Sequence, residues 1–225
     1  MSKAVVLLSG GIDSATCLAM AKDKGHKVYA LSFDYGQRSV IELQSAQAIA
    51  KSLGVIEHKI VNLRDLGSFG GSALTDTDIE LKTSNHKAEI PTSYVPGRNT
   101  VFIAIALSLA EAINADEIYT GIHNDDRSCY PDCRPEYIDA YRQLSMLSNK
   151  RGIENNPIKI ITPLLNMTKG EIIRTGNKLG LDYTNTVTCY QANDKGEACG
   201  KCLSCTTRKN GFSEAGIPDQ TRYQS

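Results

Sequence analysis

The sequence has no surplus of charge of either sign. Its 225 residues include 25 basic and 25 acidic side chains, so the formal net charge is zero. A protein that binds a long stretch of RNA or DNA usually carries an excess of Lys and Arg. The composition therefore argues against direct binding of nucleic acid, although a local basic patch would escape such a count.

Long apolar runs are also missing. The longest, residues 101–110, has about half of the roughly 18 residues that a membrane-spanning helix needs. The first residues do not resemble a secretory leader, because their apolar stretch leads directly into a glycine turn. We therefore expect a cytoplasmic protein with no membrane segment. In that compartment the seven cysteines indicate metal binding rather than disulfides.

Strand and helix patterns alternate along most of the chain. Strands are expected at about 5–8, 27–33, 55–63, 117–122 and 157–163. Helical patterns follow them, and the alternation predicts an α/β fold with a parallel five-stranded sheet and helices on both faces. We assign residues 1–180 to this domain and residues 181–225 to a small cysteine-rich tail packed on it.

Three helix starts are predicted from local capping signals. Ser39 and Glu42 have the spacing of a capping box, and so do Thr168 and Glu171. Asn99 is a plausible N-cap for the apolar helix that follows it. Each of these residues therefore has a structural explanation that needs no ligand.

Polar, glycine-rich segments follow the predicted strands. They are residues 9–14, 34–38, 64–97 and 123–134. In parallel sheets, ligands bind beyond the carboxyl ends of the strands. We therefore expect these segments to meet at one edge and to form the functional site there.

The first of these segments is the hexapeptide Ser9–Ser14, Ser-Gly-Gly-Ile-Asp-Ser. One explanation is a simple strand-to-helix turn capped by Asp13 or Ser14. The whole hexapeptide, however, resembles the pyrophosphatase loop of enzymes that cleave ATP to AMP and diphosphate, and it differs from the Gly-x-x-x-x-Gly-Lys loop. A helix N-terminus with close backbone approach suits phosphate. The residues predicted to bind ATP are Leu8, Ser9, Gly10, Gly11, Ile12, Asp13, Ser14 and Phe33.

Two further segments at this edge supply candidate substrate-binding residues. Tyr35, Gln37 and Arg38 follow the second strand, where they face either the adenosine or a second substrate. Arg98 is a permanent cation next to Asn99, and a guanidinium can hold phosphate or carboxylate through two parallel hydrogen bonds.

The later loops add acidic and basic candidates. Asp132 is either a helix cap or an acceptor for the N–H donors of a guanine-like base, and Arg134 is a candidate for a substrate carboxylate. Asp125 and Asp126 are weaker candidates for the base or for Mg²⁺. Lys169 lies in the first turn of a helix, where a cation is unfavourable unless an anion accompanies it.

Four cysteines near the C-terminus form a Cys-x₉-Cys-x₂-Cys-x₂-Cys pattern typical of a structural zinc site, with an iron–sulfur cluster as the alternative. They are Cys189, Cys199, Cys202 and Cys205. Cys17 is expected to be an ordinary buried residue, and Cys129 and Cys133 are weak candidates for a reactive thiol. His123 is a weak candidate for a general base.

Several motifs together resemble the 7-cyano-7-deazaguanine synthases, the nitrile-forming enzymes of queuosine biosynthesis. The matching segments are residues 9–14, 34–38, 70–76, 94–100, 130–134, 162–165 and 167–171 with the cysteine tail. Ser39 and Cys129 depart from the family pattern, which more often has histidine and glycine there. The resemblance implies the Rossmann-like fold of the adenine-nucleotide alpha-hydrolases and a homodimer.

The resemblance also implies a reaction. The substrates are 7-carboxy-7-deazaguanine, ammonia and ATP with Mg²⁺, and the reaction passes through an adenylated acid and an adenylated amide. The catalytic residues are expected to be Asp13, Lys169 and Arg98. The matching segments span the chain from end to end, so no second domain is expected to act as a glutaminase. Free ammonium is therefore the expected nitrogen donor. The zinc is expected to be structural, with one ion per chain.

Two other classes of protein remain open at this point. A tRNA sulfurtransferase with the same loop would use Cys129 and Cys133 as thiols and the cysteine tail to contact RNA. A non-catalytic protein would bind ATP without releasing diphosphate.

Overall fold

The structure, a computed structural model, describes residues 1–81, 90–123, 126 and 129–224. Within these ranges the strands form one parallel five-stranded sheet in the order β3-β2-β1-β4-β5. The strands are β1 (Lys3–Leu7), β2 (Lys27–Asp34), β3 (Glu57–Asn62), β4 (Glu117–Tyr119) and β5 (Lys159–Ile161). β2 and β3 lie on one side of β1, whereas β4 and β5 lie on its other side. The strand order therefore switches between β1 and β4, and ligands of parallel α/β proteins bind at such a switch point.

The helices of the described ranges connect these strands and continue after β5. They are α1 (Ile12–Asp23), α2 (Ile41–Ser52), α3 (Arg64–Ser68), α4 (Arg98–Ala112), α5 (Pro135–Leu147), α6 (Lys150–Ile153), α7 (Lys169–Lys178) and α8 (Leu203–Ala215). Short 3-10 turns lie at Pro131–Cys133 and Tyr183–Asn185. None of the described helices combines the length and apolarity needed to cross a membrane.

Each face of the sheet has its own hydrophobic core. Alternate strand residues such as Val6 and Ala30 pack with α1, α2, α7 and α8 on one face. The intervening residues, such as Val5 and Leu31, pack with α4 and α5 on the other. This arrangement confirms the predicted α/β class with helices on both faces.

The C-terminal residues share the first of these cores. Leu181, Tyr183 and Phe212 all belong to the cluster that includes α1 and β1, and α8 packs along α7. Tyr183 also shares a hydrogen bond with Thr16, whose Oγ1 lies 2.9 Å from the tyrosine oxygen. The tail therefore lies directly on the domain, and the boundary at residue 180 stays a prediction.

Only one of the two predicted capping boxes is present. The Thr168 hydroxyl accepts from the N–H of Glu171 at 3.2 Å, while the Glu171 carboxylate accepts from the N–H of Thr168 at 2.8 Å. The box at Ser39 and Glu42 was wrongly predicted. Helix α2 begins at Ile41 with Val40 at the N-cap position, whose apolar side chain cannot accept a hydrogen bond, and Glu42 lines a cavity.

The predicted N-cap at Asn99 is also wrong. Helix α4 begins one residue earlier, at Arg98, after Gly97 in the left-handed conformation with a φ of 66°. Asn99 therefore lies in the first turn, where its backbone N–H donates to Oδ2 of Asp132 at 3.2 Å. The carboxylate of Asp132, from a distant loop, thus accepts from one of the free N–H groups at the helix start. The side chain of Asn99 was expected to cap these groups.

Candidate functional site

A cavity of about 530 Å³ lies at the carboxyl ends of β1, β2 and β4. The loops that were predicted to meet at this edge do line it. Among the predicted site residues, those on its surface are Leu8, Ser9, Gly11, Ile12, Asp13, Ser14, Phe33, Tyr35, Gln37, Arg38, Arg98, Asn99 and Lys169. The volume falls in the range of ordinary small-molecule sites.

The glycine loop is held by its own hydroxyl groups. The Oγ of Ser14 accepts from the backbone N–H of Ser9 at 3.1 Å and lies 3.0 Å from the Oγ of Ser9. Gly10 has a φ of +91°, and a Cβ at this position would collide with the backbone carbonyl of Glu42. Glycine is therefore required both for the turn and for the close approach of α2. The turn leaves the start of α1 facing the cavity, where its N–H groups can meet an anion.

Asp13, in the first turn of α1, lies in a cluster of charged groups. Its Oδ1 accepts from the Nζ of Lys169 at 2.6 Å. The same Nζ lies 3.0 Å from the Nε2 of His123, and that ring nitrogen lies 3.4 Å from Oδ2 of Asp126. Helices α1 and α7 and the segment after β4 thus each contribute a charged or titratable group to one small region.

The pKa values of the two carboxyls in this cluster move in opposite directions. Burial raises the pKa of Asp13, but the charges of Lys169 and His123 outweigh burial and hold that pKa below its usual range. Burial also raises the pKa of Asp126, and there the nearby charge of Asp13 adds to the rise. Asp13 is therefore the carboxyl that stays ionised, which suits a ligand of Mg²⁺ or a partner of Lys169.

Aromatic side chains and one arginine form the opposite wall of the cavity. Phe33 and Phe102 stack with ring centroids 3.9 Å apart. The guanidinium of Arg98 lies over the ring of Tyr35 and donates to its hydroxyl at 3.3 Å. These flat apolar surfaces, with one cation between them, suit a planar heterocycle.

Two predicted substrate residues have structural partners of their own. The amide of Gln37 accepts from the N–H of Tyr35 at 2.9 Å and donates to the carbonyl of Phe33 at 3.1 Å. Arg38 donates to the carbonyls of Asp76 at 2.5 Å and Ile79 at 3.0 Å. Both residues therefore fix the loops around the cavity, whether or not they also contact a ligand.

Asp132 and Arg134 are not brought into the cavity. Asp132 is buried and satisfies the start of α4, as described above, while Arg134 is exposed on the surface. Cys133 does line the cavity, but burial raises the pKa of its thiol far above the usual range, which disfavours a thiolate nucleophile. Asp125 lies outside the described residues.

Several residues of the cavity wall were missed in the sequence. Glu42 was explained as part of a capping box, so its carboxyl was not considered as a ligand group. Tyr130 belongs to a segment that matches the family, and Tyr190 belongs to no recognised motif. Thr188 and Arg208 come from the tail, which was expected only to hold metal. No local pattern marks these residues as ligand groups, because their place in the cavity depends on how distant segments of the chain pack together.

The four cysteines of the tail meet as predicted. Their sulfur atoms all lie within 4.8 Å of one another, with separations of 3.5 Å for Cys202 and Cys205, 3.9 Å for Cys189 and Cys202, and 4.0 Å for Cys199 and Cys205. Tetrahedral zinc with Zn–S bonds of about 2.3 Å requires sulfur separations of about 3.8 Å. The cluster can therefore hold a metal ion, and its spacing fits zinc.

Two solved structures share this architecture. Nicotinamide mononucleotide (NMN) synthetase from Francisella tularensis superposes with a TM-score of 0.51 at 15% identity, covering 97% of this chain and 79% of that one. A predicted tRNA methyltransferase subunit from Methanocaldococcus jannaschii gives 0.51 at 17% identity, covering 100% and 93%. At such identities the likeness extends to the fold alone. The class that they share with this chain is a Rossmann-like α/β fold.

The sequence narrows this class to a family. The family described as "Queuosine biosynthesis protein QueC" matches residues 3–216, and the chain belongs to it. A 7-cyano-7-deazaguanine synthase of Saccharophagus degradans is 54% identical over 98% of this chain and 97% of its own length. One of Legionella pneumophila is 55% identical over 100% and 98%. The chain is therefore an enzyme of queuosine biosynthesis.

Proposed function

We propose that the protein converts 7-carboxy-7-deazaguanine and ammonia to 7-cyano-7-deazaguanine at the expense of ATP, as a carbon–nitrogen ligase. The observation that carries the proposal is the meeting of Asp13, Lys169 and the glycine loop in one cavity with Arg98 and its aromatic neighbours. The first group suits the phosphates of ATP, and the second suits a planar base. The names of the curated relatives support the same reaction.

A carboxylate needs activation because oxide is a poor leaving group. In the first half-reaction a substrate carboxylate oxygen attacks the α-phosphorus of ATP and diphosphate leaves. Ammonia then forms a bond to the carbonyl carbon, loses a proton, and displaces AMP to give the amide. In the second half-reaction the amide oxygen attacks the α-phosphorus of another ATP and a second diphosphate leaves; loss of AMP and of the two N–H protons then gives the nitrile.

The chain's own contribution to these steps is to bind and orient the phosphates. The N–H groups at the start of α1 and the ammonium of Lys169 would stabilise the charge that develops on the departing diphosphate. Asp13, kept ionised by Lys169, would hold Mg²⁺, which neutralises phosphate charge when bound. Arg98 would help to fix the second substrate beside the α-phosphate.

The test is incubation with 7-carboxy-7-deazaguanine, ammonium, ATP and Mg²⁺, followed by mass analysis. We expect the nitrile, a transient amide and two AMP per nitrile. Asp13→Ala should abolish AMP release, and retention of wild-type kinetics in this variant would contradict the role of the loop. Hydrolysis of glutamine at the rate of nitrile formation would show that ammonium is not the donor.

The alternative of tRNA sulfur transfer has less support. Cys133 is buried with a raised thiol pKa and accepts from the side-chain amide of Asn99 at 3.3 Å. Incorporation of labelled sulfur into tRNA would favour this alternative over nitrile synthesis.

We extend the proposal to the physical state of the protein, a cytoplasmic homodimer with one structural zinc ion per chain. Sedimentation equilibrium and metal analysis of the purified protein test the dimer and the zinc content.

A further inference from the structure

Glu42 is an acid with no obvious structural task. It lies in the second position of α2, lines the cavity, and does not cap its helix. Across the described part of the chain, no hydrogen-bond donor or cation lies within bonding distance of its carboxylate. Glu42 is half-buried, so a ligand in the cavity can reach its carboxylate and supply the missing partner.

The surroundings of Glu42 point in the same direction. Burial raises its pKa to about 8, although the charge of Arg98 acts against this rise. Ser39 and Arg98 also line this cavity, and the Oγ of Ser39 and the Nε of Arg98 are buried without a hydrogen-bond partner among the described residues. The lining of the cavity therefore includes a carboxyl, a guanidinium and a hydroxyl whose hydrogen-bonding capacity the described residues do not fill.

This set of groups is complementary to one edge of a guanine-type base. That edge presents two adjacent donors, the ring N–H and the exocyclic amino group, beside one carbonyl acceptor. A carboxylate can accept from both donors, while a guanidinium can donate to the carbonyl. Adenine presents only one amino group there, next to ring nitrogens that accept, and it would leave one carboxylate oxygen unpaired.

We propose that Glu42 determines the specificity of the enzyme by accepting hydrogen bonds from the ring N–H and 2-amino group of the deazaguanine, while Arg98 donates to the ring carbonyl. This assignment rests on the proposed function and names the residue that selects the substrate. Glu42 then accepts from the base in place of Asp132, which was expected to do so. The carboxylate of Asp132 accepts from the backbone N–H of Asn99 and does not line the cavity. The stacked rings of Phe33 and Phe102 give the flat surface that such a base needs.

The experiment compares wild type, Glu42→Gln and the control Glu57→Gln, an exposed acid on β3. Binding of 7-carboxy-7-deazaguanine and of its analogue without the 2-amino group is measured by calorimetry, with ATP binding measured separately. At pH 9, where Glu42 is ionised, wild type should bind the analogue roughly tenfold or more weakly, because a hydrogen bond to a charged group is lost. Glu42→Gln should bind the parent compound weakly, lose the discrimination between the two, and keep the ATP affinity of Glu57→Gln.

Two results would overturn the proposal. If wild type binds both compounds equally, the 2-amino group is not bound by Glu42, whatever the variant does. If Glu42→Gln loses affinity for ATP but not for the deazaguanine, the carboxylate faces adenine. Nitrile formation by wild type reports separately on the proposed function, so an enzyme that makes the nitrile without discrimination would refute the role of Glu42 alone.

Discussion

The Nζ of Lys169 donates to Oδ1 of Asp13 at 2.6 Å, in a contact that joins the start of α7 to the start of α1. The lysine side chain is about 10% exposed, so solvent screens this pair little. Lys169 makes the largest contribution to keeping the aspartate ionised, and in the proposed reaction its ammonium would stabilise the charge on the departing diphosphate.

Lys169→Met should therefore reduce kcat for diphosphate release by roughly 100-fold or more, a size typical of losing a preorganised charge-stabilising group. Burial would then dominate at Asp13 and raise its pKa, so the acid limb of the pH–rate profile should move to higher pH. Steady-state kinetics between pH 5 and 9 measure both effects. Lys178→Met, at the exposed end of the same helix, is the matched control. An unchanged acid limb would show that Lys169 does not set the ionisation of Asp13.

Gly10→Ala should destabilise the protein more than Gly25→Ala. Both glycines have positive φ, +91° and +79°, but a Cβ at Gly25 meets nothing within 4 Å. Gly25→Ala should then cost only the conformational strain, roughly 1–2 kcal/mol. Gly10→Ala adds the collision with the carbonyl of Glu42, typically about 1–3 kcal/mol more. Urea unfolding measures the free energy of unfolding of both variants. Equal losses of stability would show that the backbone of α2 does not approach Gly10 closely enough to collide with a Cβ.

Glu42→Gln should stabilise the free protein at alkaline pH. The pKa of Glu42 is about 8 when folded and 4.5 as the ordinary value, so the carboxyl ionises more readily in the unfolded chain. Wild type should therefore lose stability relative to the variant as pH rises from about 4.5, with the difference complete above about 8.

The charged and titratable groups that face Glu42 do not contribute to this pH-dependent difference in stability. Arg98 and Tyr35 both have raised pKa values, so neither changes charge between pH 4.5 and 8. Thermal unfolding at pH 4.5, 6, 7.5 and 9 should show a difference of several degrees at pH 9 and none at pH 4.5. A constant difference at all pH values would indicate a packing effect of the substitution instead.

Cys202→Ser should reduce bound zinc from one equivalent to none and weaken ATP binding. The metal site lies beside the cavity, where Ser204 donates to the carbonyl of Thr188 at 2.5 Å, and both residues line the cavity. Because metal binding supplies folding energy to such segments, its loss should loosen this wall. Metal analysis and ATP calorimetry test the prediction, with Cys129→Ala as the control that retains zinc. Full ATP affinity in the zinc-free protein would show that ATP binding does not depend on the metal site of the tail.

The parts of this molecule that were predicted correctly have local or periodic signals. The alternation of strands and helices gave the parallel sheet, and the box at Thr168 and Glu171 is complete within four residues. The box at Ser39 and Glu42 has the same spacing, yet Glu42 faces the cavity. A short motif therefore cannot distinguish a cap from a ligand group, because tertiary packing decides which way the side chain points.

The contacts that sequence could not supply are those between distant segments. Asp132 satisfies Asn99 across 33 positions, and the imidazole of His123 meets Lys169 across 46. Neither the residue spacing of local motifs nor the composition of the chain predicts such pairs. They determine which of the candidate acids and bases are engaged by other groups and which remain open to the cavity.

The last helix has a consequence for the timing of assembly during synthesis. Glu214 in α8 accepts from the Thr168 hydroxyl at 2.6 Å and from the N–H of Gly170 at 3.3 Å, and thereby supports the turn that carries Lys169. Lys169 follows Asp13 by 156 positions, which a ribosome needs roughly 8 to 30 s to translate. A nascent chain therefore displays its glycine loop long before it can close the site.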